Sequence, residues 1–278
     1  YESTISCIDR QFLFAPNHRN DNPLLHKECP ANALDKRNDI IPIPSTINII
    51  GSSVARALER NPIQLHWFES SINHLHHGFS LDESQLDNPS KLFQHANSLI
   101  ARQINKLYLR EGHLFAARAR HTPCVDDQAA EQKLFYGLTN TIKDGLIEKP
   151  TKSPFFSTYE HLASGKPLRY WFIDWAAYWA AGGDYKENHR PKDFLKWIEL
   201  KLTPLPAWQS LTPSQRQTRV RKEVREIADA EKEKRQTENK PSRKIAELYK
   251  TDPRSRPKTP RTSGPQPLCH ASDKESAE

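Results

Sequence analysis

The chain has 278 residues, 36% of them hydrophobic and 27% charged, with a formal net charge of +7. That length holds one good-sized core plus an appendage, or two small domains, and the low mean hydropathy of −0.80 leaves part of it solvated or disordered. No apolar run approaches the roughly 20 residues of a membrane span and no signal-peptide pattern opens the sequence, so no membrane partner is expected.

The four cysteines, Cys7, Cys29, Cys124 and Cys269, are scattered without a Cys-x-x-Cys. This fits reduced thiols in a cytoplasmic protein better than a disulfide frame or a zinc knuckle. The chain has no methionine and begins at Tyr1, so some N-terminal sequence is expected to precede it, with Tyr1 inside a first strand.

Residues 1–14 mix β-branched and aromatic side chains and predict a strand leading into a turn. Residues 15–44, rich in Asn, Asp and Pro, predict an irregular insertion. Ser45 is placed to cap a helix running to about Arg60, with Ile47, Ile50, Val54 and Leu58 on one side. In 63–69, Ile63, Leu65 and Trp67 alternate with Gln64 and His66, the pattern of a half-buried strand. If the chain stays extended through Asn73-His74-Leu75-His76-His77, His74 and His76 share a face and Leu75 turns to the core. Two imidazoles on one strand face suit an open divalent-metal site. Paired histidines on a strand are also common as ordinary surface or core residues.

Asn88-Pro89-Ser90 opens a second helix reaching about Arg110, its apolar residues at helical spacing from Leu92 to Leu107. Residues 112–120 predict a turn and a short strand whose edge carries Arg118 and Arg120. Asp126 and Asp127 begin a third helix, closed by Gly145 with Lys143 in its last turn. On a helical projection Leu134, Phe135, Leu138 and Ile142 fall within about 100° of one another. Gln132, Lys133, Tyr136, Asn140 and Lys143 fall at about 160–260° on the same scale. A phenol four residues before an amide, flanked by lysines, fits a nucleophile beside a metal ligand and phosphate contacts; a plain surface tyrosine fits too. The order strand, helix, strand-with-histidines, helix, basic strand, helix predicts an α+β domain with helices packed on an antiparallel sheet.

In residues 166–211, Trp171, Trp175 and Trp179 stand four apart, which predicts one helix with a core-facing stripe or, alternatively, a stacking platform for bases. Trp197 and Trp208 follow in a segment expected to dock on the domain. A charged helix is expected from Thr212 to Lys240, and disorder beyond Pro241. Between Arg216 and Arg261 sixteen Lys and Arg face eight Asp and Glu, which accounts for the whole basic excess. A basic tail on a near-neutral globule points to a polyanionic partner, most simply nucleic acid, or to a solubilising tail.

Four blocks carry a family resemblance. "INHLHHGF" resembles the HUH motif of single-tyrosine transposases, in which a hydrophobic residue separates two metal-binding histidines. "NSLIARQINKLYLREGHLFAARAR" is similar to their helix-turn-strand block. "YGLTNTIKDGLIEKPTKSPFFSTY" is similar to the segment in which REP-associated tyrosine transposases carry Tyr-Ile-x-x-Asn-Pro, then Gly-Leu-Val and Pro-x-Ser-Ser-Tyr. "YESTISCIDRQFLF" looks like the family's opening strand. The blocks keep the family's order over residues 1–160. The sequence departs from the pattern at Thr141, where relatives have Pro, and at His77-Gly78, where they usually have aliphatic residues.

The resemblance implies a ferredoxin-like antiparallel sheet with helices packed on it, over a catalytic domain of residues 1–165. A Trp-rich segment (166–211) and a basic, partly helical and partly disordered tail (212–278) would be additions to it. It makes His74 and His76 metal ligands, Asn140 the third ligand and Tyr136 the nucleophile, with Arg118, Arg120, Lys133 and Lys143 touching DNA. Two neutral imidazoles and an amide leave positions open for phosphate and water, which suits Mg²⁺ or Mn²⁺. The implied reaction is cleavage and joining of single-stranded or hairpin DNA through a 5′-phosphotyrosine, by a cytoplasmic monomer or homodimer. The rivals are a catalytically silent DNA-binding descendant and a hydrolytic metallophosphoesterase, which would leave no covalent adduct.

Overall fold

The computed structural model describes residues 1–16, 44–185, 190–257 and 269–272. Most of the expected insertion at 15–44 lies outside them, as does Cys29. Among the described residues no helix is long and apolar enough to cross a membrane.

Among the described residues up to Lys143 the order is β-α-β-β-α-β-α, so the expected single strand with histidines is two strands that turn back on each other. Strand β1 (Glu2–Ser6) is followed by α1 (Thr46–Arg60), β2 (Gln64–Ser70), β3 (His74–Ser80), α2 (Asn88–Leu107), β4 (Arg120–Thr122) and α3 (Asp127–Lys143). The strands form one antiparallel sheet in the order β2-β3-β1-β4, the ferredoxin-like arrangement. The helix starts follow their caps. Ser45 Oγ accepts from the Asn48 amide at 3.1 Å and Asp126 Oδ1 from the Ala129 amide at 2.7 Å. The basic stretch before β4 is shorter as a strand than expected, only Arg120–Thr122.

The pleat divides β3 between two faces. Leu75, His77 and Phe79 face α1 and α2, in a core with Ile5, Ile49, Ile50, Val54 and Phe93. His74, His76 and Gly78 point the other way, toward α3. The His77-Gly78 departure has a physical reason on each face. A Cβ on Gly78 would lie 2.0 Å from the Trp67 ring, and one on Gly137 of α3 would lie 2.3 Å from its other edge. Two glycines therefore form the slot that seats a buried Trp67 between strand and helix, and the β2–β3 register shifts between Leu65 and Trp67, opposite Phe79 and Gly78.

His77 takes the place of an aliphatic residue on the core face. It is 1% exposed, stacks on Phe68 at 5.1 Å and lies 4.1 Å from the Phe93 ring, and neither ring nitrogen finds a hydrogen-bond partner. Burial holds its pKa well below 6.5, with the neighbouring His121 acting in the same direction. The folded state thus keeps His77 neutral. Its contribution is complete above the unfolded value of 6.5 and is lost as pH falls below it. His77→Leu removes two unpaired buried nitrogens and is expected to raise the unfolding free energy by about 1–2 kcal/mol at neutral pH. Urea melts of both proteins from pH 8 downward should show the gap widening below pH 6.5, by up to about 1.4 kcal/mol per unit. A gap independent of pH would show that His77 titrates alike in the folded and the unfolded chain.

After α4 (Tyr159–Ser164), the expected tryptophan helix is not one element. Leu168–Ile173 is a strand, β5, and only Trp175–Ala180 is helical, as α5; β6 (Leu195–Leu200) pairs with β5 in a separate antiparallel ribbon. Asp174 separates the two, its carboxylate accepting from the Ala177 amide at 3.0 Å as a helix cap. Trp171 and Trp175, four apart in sequence, therefore lie in different elements. The stripe does not face the core: Trp175 is 37%, Trp179 52% and Trp197 67% exposed, and of the later tryptophans Trp208 is the buried one. The ribbon packs on α1 through Tyr170, whose ring touches Gly51.

Helix α6 (Pro213–Thr237) is the expected charged helix, opened by a Thr212–Gln215 capping box. It is not a free tail. Val220, Val224 and Ala228, four apart, are buried, and the two valines meet Leu134, Phe135 and Leu138 of α3 and Trp208 in a second core. Beyond Pro241 the expected disorder does not hold for the described residues. Ile245–Tyr249 forms α7 with Leu248 fully buried, and Arg254 donates to the Tyr108 carbonyl at 2.8 Å. Residues 258–268 and 273–278 lie outside the description.

Candidate active site

β1 and β3 pair in a register that sets Thr4 opposite His76 and Ser6 opposite His74. α3 crosses the same face, and Tyr136 and Asn140, one turn apart, reach the histidines from above. The His74 and His76 rings lie 4.7 Å apart edge to face, and the Tyr136 ring lies 5.8 Å from that of His76. Asn140 Nδ2 is 2.9 Å from His74 Nε2. The structure thus brings His74, His76, Tyr136 and Asn140 into one place.

Asn140 departs from the helical projection. It is 5% exposed while Tyr136 is 39% exposed. The projection assumes one buried stripe, whereas α3 is covered by the sheet on one side and by α6 on the other, so its polar arc is partly roofed by β3.

Each imidazole is oriented through Nδ1. His74 Nδ1 donates to Asn73 Oδ1 at 2.8 Å, and the Asn73 amide in turn donates to the Arg10 carbonyl at 3.1 Å. His76 Nδ1 donates to Glu2 Oε1 at 3.2 Å, with the Thr4 hydroxyl 3.0 Å from both groups. The other Glu2 oxygen accepts from His270 Nε2 at 3.1 Å. Burial opposes the charge on Glu2. Hydrogen bonds from His76, Thr4 and His270, with the charge of His76, outweigh it and hold the carboxyl down to about 2. Burial, aided by His76 and Arg10, brings His74 down to about 3, so its imidazole is neutral.

With Nδ1 engaged on both rings, Nε2 is the lone pair each offers to a ligand, the pattern in which an outer acceptor orients a metal-binding histidine. Turning the Asn140 amide over would set Oδ1 beside His74 Nε2. The donor set fits a hard divalent cation with open positions: two imidazoles, one amide oxygen and solvent. Among the described residues, no group of three or more His, Cys, Asp and Glu side chains is arranged to hold a metal ion.

The site opens into a two-lobed cleft, and His76, Tyr136, Thr4 and Ser6 line both lobes. One lobe, of about 640 Å³, is bordered by Arg118, Arg120 and Lys133. The other, of about 390 Å³, is bordered by Arg10, Asn73, His74 and Asn140. Lys133 Nζ and Lys143 Nζ lie 5.5 and 5.1 Å from the Tyr136 ring centre. Burial lowers the Lys143 pKa, Lys133 adding to this and Glu231 opposing it. Arg118, Arg120, Lys133 and Lys143 are thus all at the cleft or on the tyrosine.

Sequence reasoning missed Glu2, Thr4, Asn73, Arg10 and His270. Asn73 stands next to the motif and was open to notice. Glu2 and His270 reach His76 only through strand register and through the return of residues 269–272 beside Pro123 and Val125; nothing in their sequence neighbourhoods signals this.

No family model matches the chain, and no curated protein does. Among solved structures, the chain is similar to a REP-associated tyrosine transposase bound to a REP hairpin, at 15% identity and a TM-score of 0.38, over 67% of this chain and 86% of that one. A likeness of that degree carries no argument about chemistry, which has to come from the cleft itself.

Proposed function

We propose that this protein cleaves and rejoins single-stranded DNA, with Tyr136 as the nucleophile and His74, His76 and Asn140 as the holders of Mg²⁺ or Mn²⁺. The observation that supports the reading best is the convergence on one cation-lined cleft of two Nε2 lone pairs, an amide and a phenol. An anionic phosphodiester repels nucleophiles, and a bound divalent cation supplies charge neutralisation at a non-bridging oxygen. The chain's own residues do the rest. Arg118, Arg120 and Lys133 draw the strand's phosphates along the larger lobe. Lys133 and Lys143 stabilise negative charge as the phenol gives up its proton to solvent and its oxygen attacks phosphorus. A Tyr136 Oη–P bond forms, the bond from phosphorus to the 3′-oxygen breaks, and that oxygen takes up a proton to leave a free 3′-OH. A 3′-OH attacking the phosphotyrosine reverses the step, so joining needs no nucleotide cofactor.

The test is incubation with hairpin-forming single strands and Mg²⁺ or Mn²⁺, followed by denaturing gels and mass spectrometry. The expected product is a covalent adduct on the peptide that contains Tyr136. Cleavage without adduct would favour a hydrolytic phosphoesterase, and binding without cleavage a silent DNA-binding protein.

Metal binding has its own expected outcome. His74→Ala and His76→Ala should each abolish cleavage, and Asn140→Ala should act more mildly because water replaces one neutral ligand. Glu2→Gln should weaken Mn²⁺ binding by about 10-fold or more through the loss of the acceptor that orients His76. Calorimetric titration of Mn²⁺ into the protein without DNA checks this apart from turnover. Wild-type Mn²⁺ affinity in His74→Ala/His76→Ala would end the metal reading.

A further inference from the structure

On the face of the sheet away from His74 and His76, α1 and α2 lie side by side, and a 3.1 Å hydrogen bond from Gln103 Nε2 to Ser53 Oγ sets their register. Along the outer edge of this seam stand Arg56 and Arg60 on α1 and Arg102 and Lys106 on α2, each pair four apart on one helix face. Arg60, Arg102 and Lys106 are exposed and Arg56 is half-buried. His95 stands on the same seam: burial lowers its pKa, and the charges of Arg60, Arg56 and Arg102 lower it further. The nearby carboxylates are Glu59 and Asp174, and Asp174 is held by Lys196 Nζ at 2.7 Å and by the α5 cap. Among the described residues no carboxylate forms an ion pair with Arg56, Arg60 or Arg102. Arg56, Arg60 and Arg102 are thus gathered with only Glu59 and Asp174 near Arg56 to offset them, a concentration of positive charge that favours an anionic partner.

Aromatic rings interleave with these cations. The Arg56 guanidinium lies 4.3 Å above the Phe172 ring, and Lys106 Nζ lies 5.0 Å from the ring of Trp175. Trp175 is 37% exposed and Trp179, one turn on, 52%. An indole open to solvent beside phosphate-binding cations is the composition of a surface that tracks a single strand, stacking a base while neutralising its backbone. A duplex keeps its bases stacked inside and has no use for the indole.

We infer that the seam of α1 and α2, closed off by Trp175, is a second binding surface for single-stranded DNA on the opposite side of the sheet from the cleft. Arg60, Arg102 and Lys106 take phosphates and Trp175 stacks a base. The inference stands apart from the reading of Tyr136, and a strand held at both places would pass around the sheet edge.

The test uses the full chain labelled with 5-fluorotryptophan, the Trp175 resonance being assigned by its absence from Trp175→Phe. Titration with an oligothymidylate at low salt should shift that resonance saturably, in the wild type and equally in Tyr136→Phe. Arg60→Glu/Arg102→Glu should lose at least about tenfold in affinity, and the slope of log K against log salt should fall by about 1.4 for two lost phosphate contacts. Lys222→Glu/Lys240→Glu, an equal charge change on exposed sites of α6 and just beyond it, should lose much less. A Trp175 resonance that stays still while the oligomer binds overturns the inference, as do equal losses in the two charge-reversed pairs. Polyglutamate moving Trp175 as strongly as the oligomer would overturn the choice of DNA.

Discussion

Replacing Tyr136 by Phe is expected to abolish both strand cleavage and the covalent adduct while leaving the protein folded. The ring stays, so its edge-to-face contact with His76 and the two lysines over it are kept. Only a hydroxyl leaves a side chain that is 39% exposed, which costs less than about 1 kcal/mol of stability. The same atom is the one that attacks phosphorus, so the rate should fall by on the order of 10⁴ or more. Tyr108 and Tyr159 are controls. Both are buried, Tyr108 with its hydroxyl on the Ala15 carbonyl, and neither lines the cleft. Their Phe variants should cut at wild-type rates. Undiminished cleavage by Tyr136→Phe would remove the phenol from the mechanism and leave the cleft to a hydrolytic reaction.

The second large effect is on folding. Val224 is 1% exposed in the core that α6 shares with α3. Val224→Asp places a carboxylate among Leu134, Phe135, Leu138 and Trp208 and should cost at least about 4 kcal/mol. Val224→Ala, which leaves a cavity of two methyl groups, should cost about 2 kcal/mol and give a graded measure if the aspartate variant does not fold. Urea denaturation reads both. The chemistry depends on this packing, because α3 carries Tyr136 and Asn140 on one side and the α6 contact on the other. Arg235 of α6 also donates to the Ile142 carbonyl at the end of α3, at 3.3 Å. A wild-type midpoint for Val224→Asp would show that α6 is a detachable appendage. By the same argument, deleting residues 212–278 is no clean probe of nucleic-acid binding: it strips α3 of its outer cover along with the basic charge.

What could be read along the chain was what local period and local chemistry decide. The two-residue repeat of a strand is a property of the backbone, so the common face of His74 and His76 and the inward turn of Leu75 followed from spacing. Ser45, Asp126 and Thr212 marked helix starts because a side-chain oxygen satisfies an amide only two or three residues on. Val220, Val224 and Ala228, four apart, are the buried stripe of α6, a signal that the expectation of a charged helix in a tail passed over. Where sequence reasoning failed, two local solutions competed. A spacing of four serves a helix, yet Trp171 and Trp175 fall on either side of Asp174, whose cap ends a strand and begins a helix. Composition argued for disorder beyond Pro241, yet among the described residues there Leu248 is buried and Arg254 reaches a distant carbonyl.

The rest belonged to tertiary structure alone. Which carboxylate orients His76 depends on a register between strands more than seventy residues apart, and a slip by one residue would turn Glu2 to the other face. That His270 holds the same carboxylate depends on the chain coming back beside Val125. Asn140 is buried because α3 lies between the sheet and α6, a circumstance a single helical projection cannot contain. Periodicity and capping act over a few residues and are written in sequence order. Register, enclosure and the meeting of distant side chains are set by the packing of whole layers, in which residue number no longer measures distance.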